Sequence, residues 1–168
     1  KGMADFFIAN TSANRATTFW IISRMSGSLG FLAAVMIPSD IKSNINKKYF
    51  IIVCSLFVLS IHVIVTYYPQ YIPAMFVEGK GLTQEKIIME YFIIFLMFIT
   101  FIKLSFEYKQ TKKRREYLFM IAVIYSIFSE LAFISYSSVY DAFNYLGHIY
   151  KFIAYMILYK AIYIENVS

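Results

Sequence analysis

Seven ionisable side chains stand inside runs of aliphatic and aromatic residues: Arg24, His62, Glu90, Lys103, Glu130, His148 and Lys151. If those runs lie in lipid, each charge costs about 2.5–3.5 kcal/mol to insert, so each must face a protein interior and find a partner. Several chemistries are open to such a set. Arg and Lys opposite Glu can form ion pairs that do no more than fix helix register. The same groups can hold a ligand or ion in a pocket, or relay protons. Two histidines on different segments, His62 and His148, can act as axial ligands of a haem, although no spacing motif supports this and the sequence otherwise leaves the cofactor unknown.

Spacing narrows the geometry. His148 and Lys151 are three apart and share a helix face, Tyr155 follows four later, and Ser126 lies one turn from Glu130. Counted at the helical rise, Arg24, His62, Glu130 and His148 fall roughly 8–10 Å below one edge of their segments, with Lys151 a turn deeper and Glu90 slightly shallower. Lys103 stands near the opposite edge and reaches the interface by snorkelling. Four segments meeting at one level predict a buried polar cluster. An Arg24–Glu130 or a Lys151–Glu130 ion pair would leave the other cation to attract something anionic. The candidate signal-sensing residues are therefore Arg24, Glu130, His148, Lys151, His62, Glu90 and Tyr155.

The elements that must position them follow from composition. Of 168 residues, 60% are hydrophobic and 15% charged, against roughly half apolar and a quarter charged in soluble domains. A globule of this size buries only about 70% of its unfolded surface, so a water-soluble version would expose broad sheets of Phe, Ile and Tyr. Lipid is the simpler solvent. Residues 18–37, 49–67, 87–104, 117–136 and 142–164 are apolar runs of the length a spanning helix needs, about 20 residues. Short polar connectors join them, and period-2 alternation is absent. The fold class is an all-α polytopic transmembrane bundle of about five spans, forming one membrane-embedded domain over residues 1–168.

Lys and Arg in the connectors orient it. Lys42, Lys47 and Lys48 follow the first run, and Lys109, Lys112, Lys113, Arg114 and Arg115 follow the third, against Lys80 and Lys86 after the second. Basic loops stay cytoplasmic, which places the C-terminus inside. Tyr67, Tyr68 and Tyr71 at one rim and Tyr49 and Tyr117 at the other suit an interfacial belt. The formal charge of +6 thus reflects topology, and neither it nor the run at 109–115 calls for nucleic acid. Cys54 is the single cysteine and reads as a small hydrophobe. Ser23 with Gly27, and Ser26 with Gly30, form small-xxx-small pairs suited to close packing within the bundle or to a homodimer face. No phosphate-cradling loop, nucleophile elbow or HExxH pattern occurs, so no enzyme is expected in this segment.

Several blocks together carry a family resemblance: Lys1-Gly2-Met3; Trp20-Ile21-Ile22-Ser23-Arg24; Gly79-Lys80-Gly81-Leu82-Thr83 with Lys86 and Glu90; Ser129-Glu130-Leu131; and Asp141 through Asn144, Gly147, His148 and Lys151 to Tyr159-Lys160. In these the chain resembles the third class of bacterial and archaeal membrane-associated sensor domains, over nearly its whole length. The resemblance implies a multi-pass sensory input module of the cell membrane, placed before cytoplasmic PAS, histidine kinase or diguanylate cyclase domains in the same polypeptide. It also implies two further spans upstream ending in an Asp-x-x-His pattern. Glu85 stands where that family usually has an aromatic residue. The expected function is a transmembrane sensory input, with a small-molecule or membrane-dissolved signal read by the outer polar cluster. The competing class is a small transporter or ion or proton channel subunit, and a structural subunit of a larger membrane complex is a third.

Overall fold

The structure, a computed structural model, describes residues 13–37, 46–77, 80–135 and 141–164. The expected turn at 38–40, Lys42, Gly79 and the continuation of the last helix past residue 164 lie outside the described residues. Five long helices make up nearly all the rest: α1 (Ala13–Met36), α2 (Lys47–Tyr67), α3 (Gln84–Thr111), α4 (Arg114–Ser135) and α5 (Ala142–Tyr159). The first four are long and apolar enough to cross a membrane. The last, at 18 residues, has the length, but Asn144, His148, Lys151 and its tyrosines lower its apolarity. It packs most extensively on α4, which in turn packs on α3, and α3 on α1.

Local chemistry sets the boundaries. The Thr83 hydroxyl accepts a hydrogen bond from the Lys86 N–H at 3.3 Å, capping α3. It starts the helix at Gln84 instead of the expected 87. The Asp141 carboxylate caps α5 through the Phe143 N–H at 3.1 Å, and Asn46 caps α2 through the Lys48 N–H at 3.0 Å. Between α3 and α4 the chain reverses in two residues. Lys112 adopts a left-handed conformation, φ 54°, and its N–H closes on the Tyr108 carbonyl at 2.8 Å. The same turn lets α3 run to Thr111, well past the apolar stretch that ends near Leu104.

One feature is not helical. Phe76–Val77 and Gly81–Leu82 form a minimal antiparallel hairpin, with Gly81 at φ 87° where only glycine is unstrained. The Asn14 side-chain oxygen accepts from the N–H groups of Met75 (2.7 Å) and Phe76 (3.0 Å), pinning the hairpin to the start of α1. Met75 then seals one apolar cluster with Ile21 and Ile93. A second cluster, Met97, Leu104 and Val123, holds α3 to α4 further along.

Burial follows helical spacing. On α1 the buried residues are Thr18, Ile21, Arg24 and Ser28; on α5 they are Gly147, Lys151 and Ala154. Ser129 donates to the Gly147 carbonyl at 2.8 Å, and a Cβ added at Gly147 would stand 2.7 Å from the Phe133 ring. Close helix approach is thus made by α4 and α5. It is not made by the small residues of α1: apart from the local backbone of α1 itself, no atom among the described residues lies within 4 Å of where a Cβ would stand at Gly27 or Gly30. The expectation that this stripe serves packing within the bundle is corrected accordingly. Helix α2 buries only Val65 and presents its apolar residues outward, as a lipid-facing helix does.

Candidate functional site

The bundle's most polar region is also among its most buried. Helix α1 supplies Arg24, α3 supplies Lys86 and Glu90 one turn apart, α4 supplies Glu130, and α5 supplies Lys151. The Arg24 guanidinium bridges two carboxylates: one terminal nitrogen donates to Glu130 Oε2 at 2.5 Å and the other to Glu90 Oε1. Lys86 Nζ pairs with Glu90 Oε1 at 2.7 Å and donates to the Phe133 carbonyl at 2.7 Å. Lys151 Nζ donates to Glu130 Oε1, also at 2.7 Å. Side-chain exposure is 0% for Lys86, Glu90 and Glu130, 4% for Arg24 and 11% for Lys151. Four helices are thereby tied together by charge-assisted bonds in a medium where each charge would otherwise be prohibitive.

Aromatic rings close one side. The guanidinium lies 4.6 Å from the Phe133 ring centroid and 5.6 Å from that of Trp20. His148 completes the group, 5.0 Å from Trp20 and 5.2 Å from Phe133. Phe133 is fully buried, whereas Trp20 and His148 are exposed on their outer sides, so these two rings separate the charged network from its surroundings.

Two polar atoms of this network have no hydrogen-bond partner among the described residues: Arg24 Nε, a donor, and Glu90 Oε2, an acceptor. A buried group left in this way costs free energy unless something satisfies it.

Of the residues singled out from sequence, Arg24, Glu90, Glu130 and Lys151 come together. His148 borders them through its ring contacts. Tyr155 is mostly exposed, with its ring 5.9 Å from Lys151 Nζ, so it flanks the network from outside. His62 stands apart on α2, exposed and stacked on Phe19 at 5.6 Å. The two histidines have different neighbours, and nothing among the described residues pairs them as axial ligands. Lys103 lies near the other end, half-exposed, pairing with Glu107 at 3.3 Å.

Two expectations need correction. Neither cation is left over by the other's bond to Glu130, because its two oxygens take Arg24 and Lys151 at the same time. Lys86, counted as a connector residue, is instead a wholly buried member of the network, because the Thr83 cap draws it into the first turn of α3. Its spacing of four from Glu90 was the available signal. Sequence reasoning also passed over Glu116, which is buried in the first turn of α4 near the opposite end, with Arg115 as its neighbour at 3.4 Å.

A family model described as a membrane-associated sensor domain, MASE3, matches residues 1–168, the whole chain. No curated protein and no solved structure matched it.

Proposed function

The chain belongs to the MASE3 membrane-associated sensor domains, and we propose that within this sensory role the buried ion network is the element that reads the signal. One observation carries the reading: charged groups from α1, α3, α4 and α5 converge on a single set of contacts, so any change in charge or occupancy there is felt by four helices together. Two carboxylates shared among three cations have more than one near-equivalent pairing. A signal that favours one pairing favours one helix arrangement.

Helix α5 is the proposed route outward from the network. It carries Lys151, packs along α4, and passes directly into a π-helical turn, Lys160–Ile164, in which Ala161 is buried. Such turns are marginal in stability and recur at functional positions. The basic connectors favour a cytoplasmic C-terminus. In this reading α5 delivers a rotation or a small axial shift to an output domain in the same polypeptide, a PAS, histidine kinase or cyclase domain, with a homodimer as the natural form for such transmission. Two spans upstream would complete the bundle.

The test uses the full-length protein in its own membrane. Arg24→Ala and Glu130→Ala are expected to abolish the response of the output to its stimulus while the protein still reaches the membrane. A response left intact, with only protein level altered, would sink the assignment of sensing to this network. Insertion of one or two residues after Glu165 should change output with helical phase, and indifference to phase would remove α5 as the route.

A further inference from the structure

The turn between α3 and α4 gathers Lys109, Lys112, Lys113, Arg114 and Arg115 into one short stretch of chain. Topology accounts for the side of the membrane on which such residues lie, but not for how these are placed. Lys109, Lys112 and Lys113 are all exposed. The carboxylates that flank the turn in sequence are engaged elsewhere: Glu107 pairs with Lys103 at 3.3 Å, and Glu116 is buried with Arg115 beside it at 3.4 Å. Helix stability gives no reason for Lys113 either. It immediately precedes α4, at the positive end of that helix's dipole, where a cation is disfavoured.

The height of the turn is set by its neighbours. Phe106, 59% exposed, is the last large exposed apolar side chain of α3, and Tyr117, 48% exposed, is the first of α4. The rings of Tyr108 and Tyr117 lie 5.8 Å apart, a pairing suited to the boundary between hydrocarbon and headgroups. From Phe106 to Thr111 the helix rises about 7–8 Å, close to the roughly 5–8 Å depth of one headgroup layer. The turn therefore stands among the phosphates and does not project far beyond them. Lys112 Nζ lies 5.5 Å from the Tyr108 ring centroid and Lys109 Nζ lies 5.8 Å from that of Phe106, so both ammonium groups are held at this level. The left-handed Lys112 carries the chain over the tip, where the Lys113 N–H donates to the Thr111 hydroxyl at 3.3 Å.

We infer that this turn is a binding surface for anionic phospholipid headgroups, with Lys109, Lys112 and Lys113 meeting the phosphates of adjacent lipids. An acidic protein would match the charge, but the height selects lipid, whose phosphates already surround the turn at that depth. The surface is separate from the buried ion network and holds whether or not that network reads a signal.

The experiment places the whole chain in phosphatidylcholine nanodiscs in which about one lipid in ten is a photoreactive phosphatidylglycerol or, in a parallel sample, a photoreactive phosphatidylcholine with the same acyl chains. Peptide mapping then reads the label on residues 106–117. The phosphatidylglycerol probe is expected to label this segment at least about fivefold more than the phosphatidylcholine probe, the factor that one lysine near an anionic surface supplies. The preference should fall as salt rises from about 0.05 to about 0.5 M. The triple variant Lys109→Gln, Lys112→Gln and Lys113→Gln should lose at least about fivefold of it, and Lys113→Glu alone should lose a comparable part if the triple variant does not fold. Lys47→Gln with Lys48→Gln removes cations from another connector and should change it by less than about twofold. Equal labelling by the two probes, a preference unchanged in both turn variants, or an equal loss in the Lys47 and Lys48 variant overturns the inference. Displacement of the lipid probe by inorganic phosphate, beyond the effect of sulfate at the same ionic strength, would make this a site for a free anion and overturn the lipid assignment. Binding of polyglutamate at residues 106–117 without any preference between the lipids would give the surface to an acidic protein and overturn it too.

Discussion

Glu130 accepts from Arg24 at 2.5 Å and from Lys151 at 2.7 Å, one cation on each oxygen, with no exposure to solvent. Glu130→Gln keeps its volume and removes its charge, so Arg24 and Lys151 both lose the carboxylate they share. Removing one partner of a buried ion pair costs about 3–5 kcal/mol, chiefly through the charges left uncompensated. For a domain of this size each kcal/mol lowers the unfolding midpoint by about 2–4 °C, so a loss of roughly 6–20 °C is expected. Trp20 is the only tryptophan and sits beside Arg24. Its fluorescence in lipid nanodiscs therefore follows the network itself. The double variant Glu130→Gln with Lys151→Met also removes one of those two cations, and should recover at least about 1 kcal/mol as coupling between the two positions. A single variant within about 1 kcal/mol of the parent, or additive effects in the double, would show that these charges are not compensated where the structure puts them.

Gly147→Ala should destabilise by about 1–3 kcal/mol, because its Cβ would stand 2.7 Å from a Phe133 ring that Trp20, His148 and Arg24 hold in place. Gly27→Ala, with open space around it, should be neutral or stabilising by up to about 1 kcal/mol in the same melt. Arg24→Lys keeps the charge but cannot bridge Glu90 and Glu130 together; a loss of about 2 kcal/mol by denaturation in lipid is expected, and full retention of stability would argue against the fork geometry. Lys103→Ala breaks a half-exposed pair with Glu107 and should change stability by less than about 1 kcal/mol, with any effect vanishing at high salt.

Apolar runs, short connectors and basic loops were enough to establish a multi-pass helical membrane domain, because lipid leaves a chain of this composition almost no alternative to the helix. The same logic marked Arg24, Glu90, Glu130 and Lys151 as residues in need of partners, since a charge inside an apolar run is conspicuous whatever the fold. Lys86 escaped notice because linear reading places the helix start by apolarity, whereas a hydroxyl cap at Thr83 begins it earlier and turns that lysine inward. His62 is the converse case. Depth along a helix can be counted from sequence, but rotation and helix neighbours cannot, and at that depth His62 meets the Phe19 ring of α1 and not the network.

Which ions meet is a matter of packing. Sequence alone permitted either cation to hold Glu130, and only the meeting of α1, α4 and α5 around one carboxylate gives it both. Likewise, two of the glycines in the small-residue pairs of α1 looked suited to close helix contact, yet the close approach is made by Gly147 against Phe133. The physical reason is the same throughout: burial cost and helix period act on each segment alone, whereas pairing depends on the azimuth at which separate helices face one another, and that is decided only when their surfaces pack.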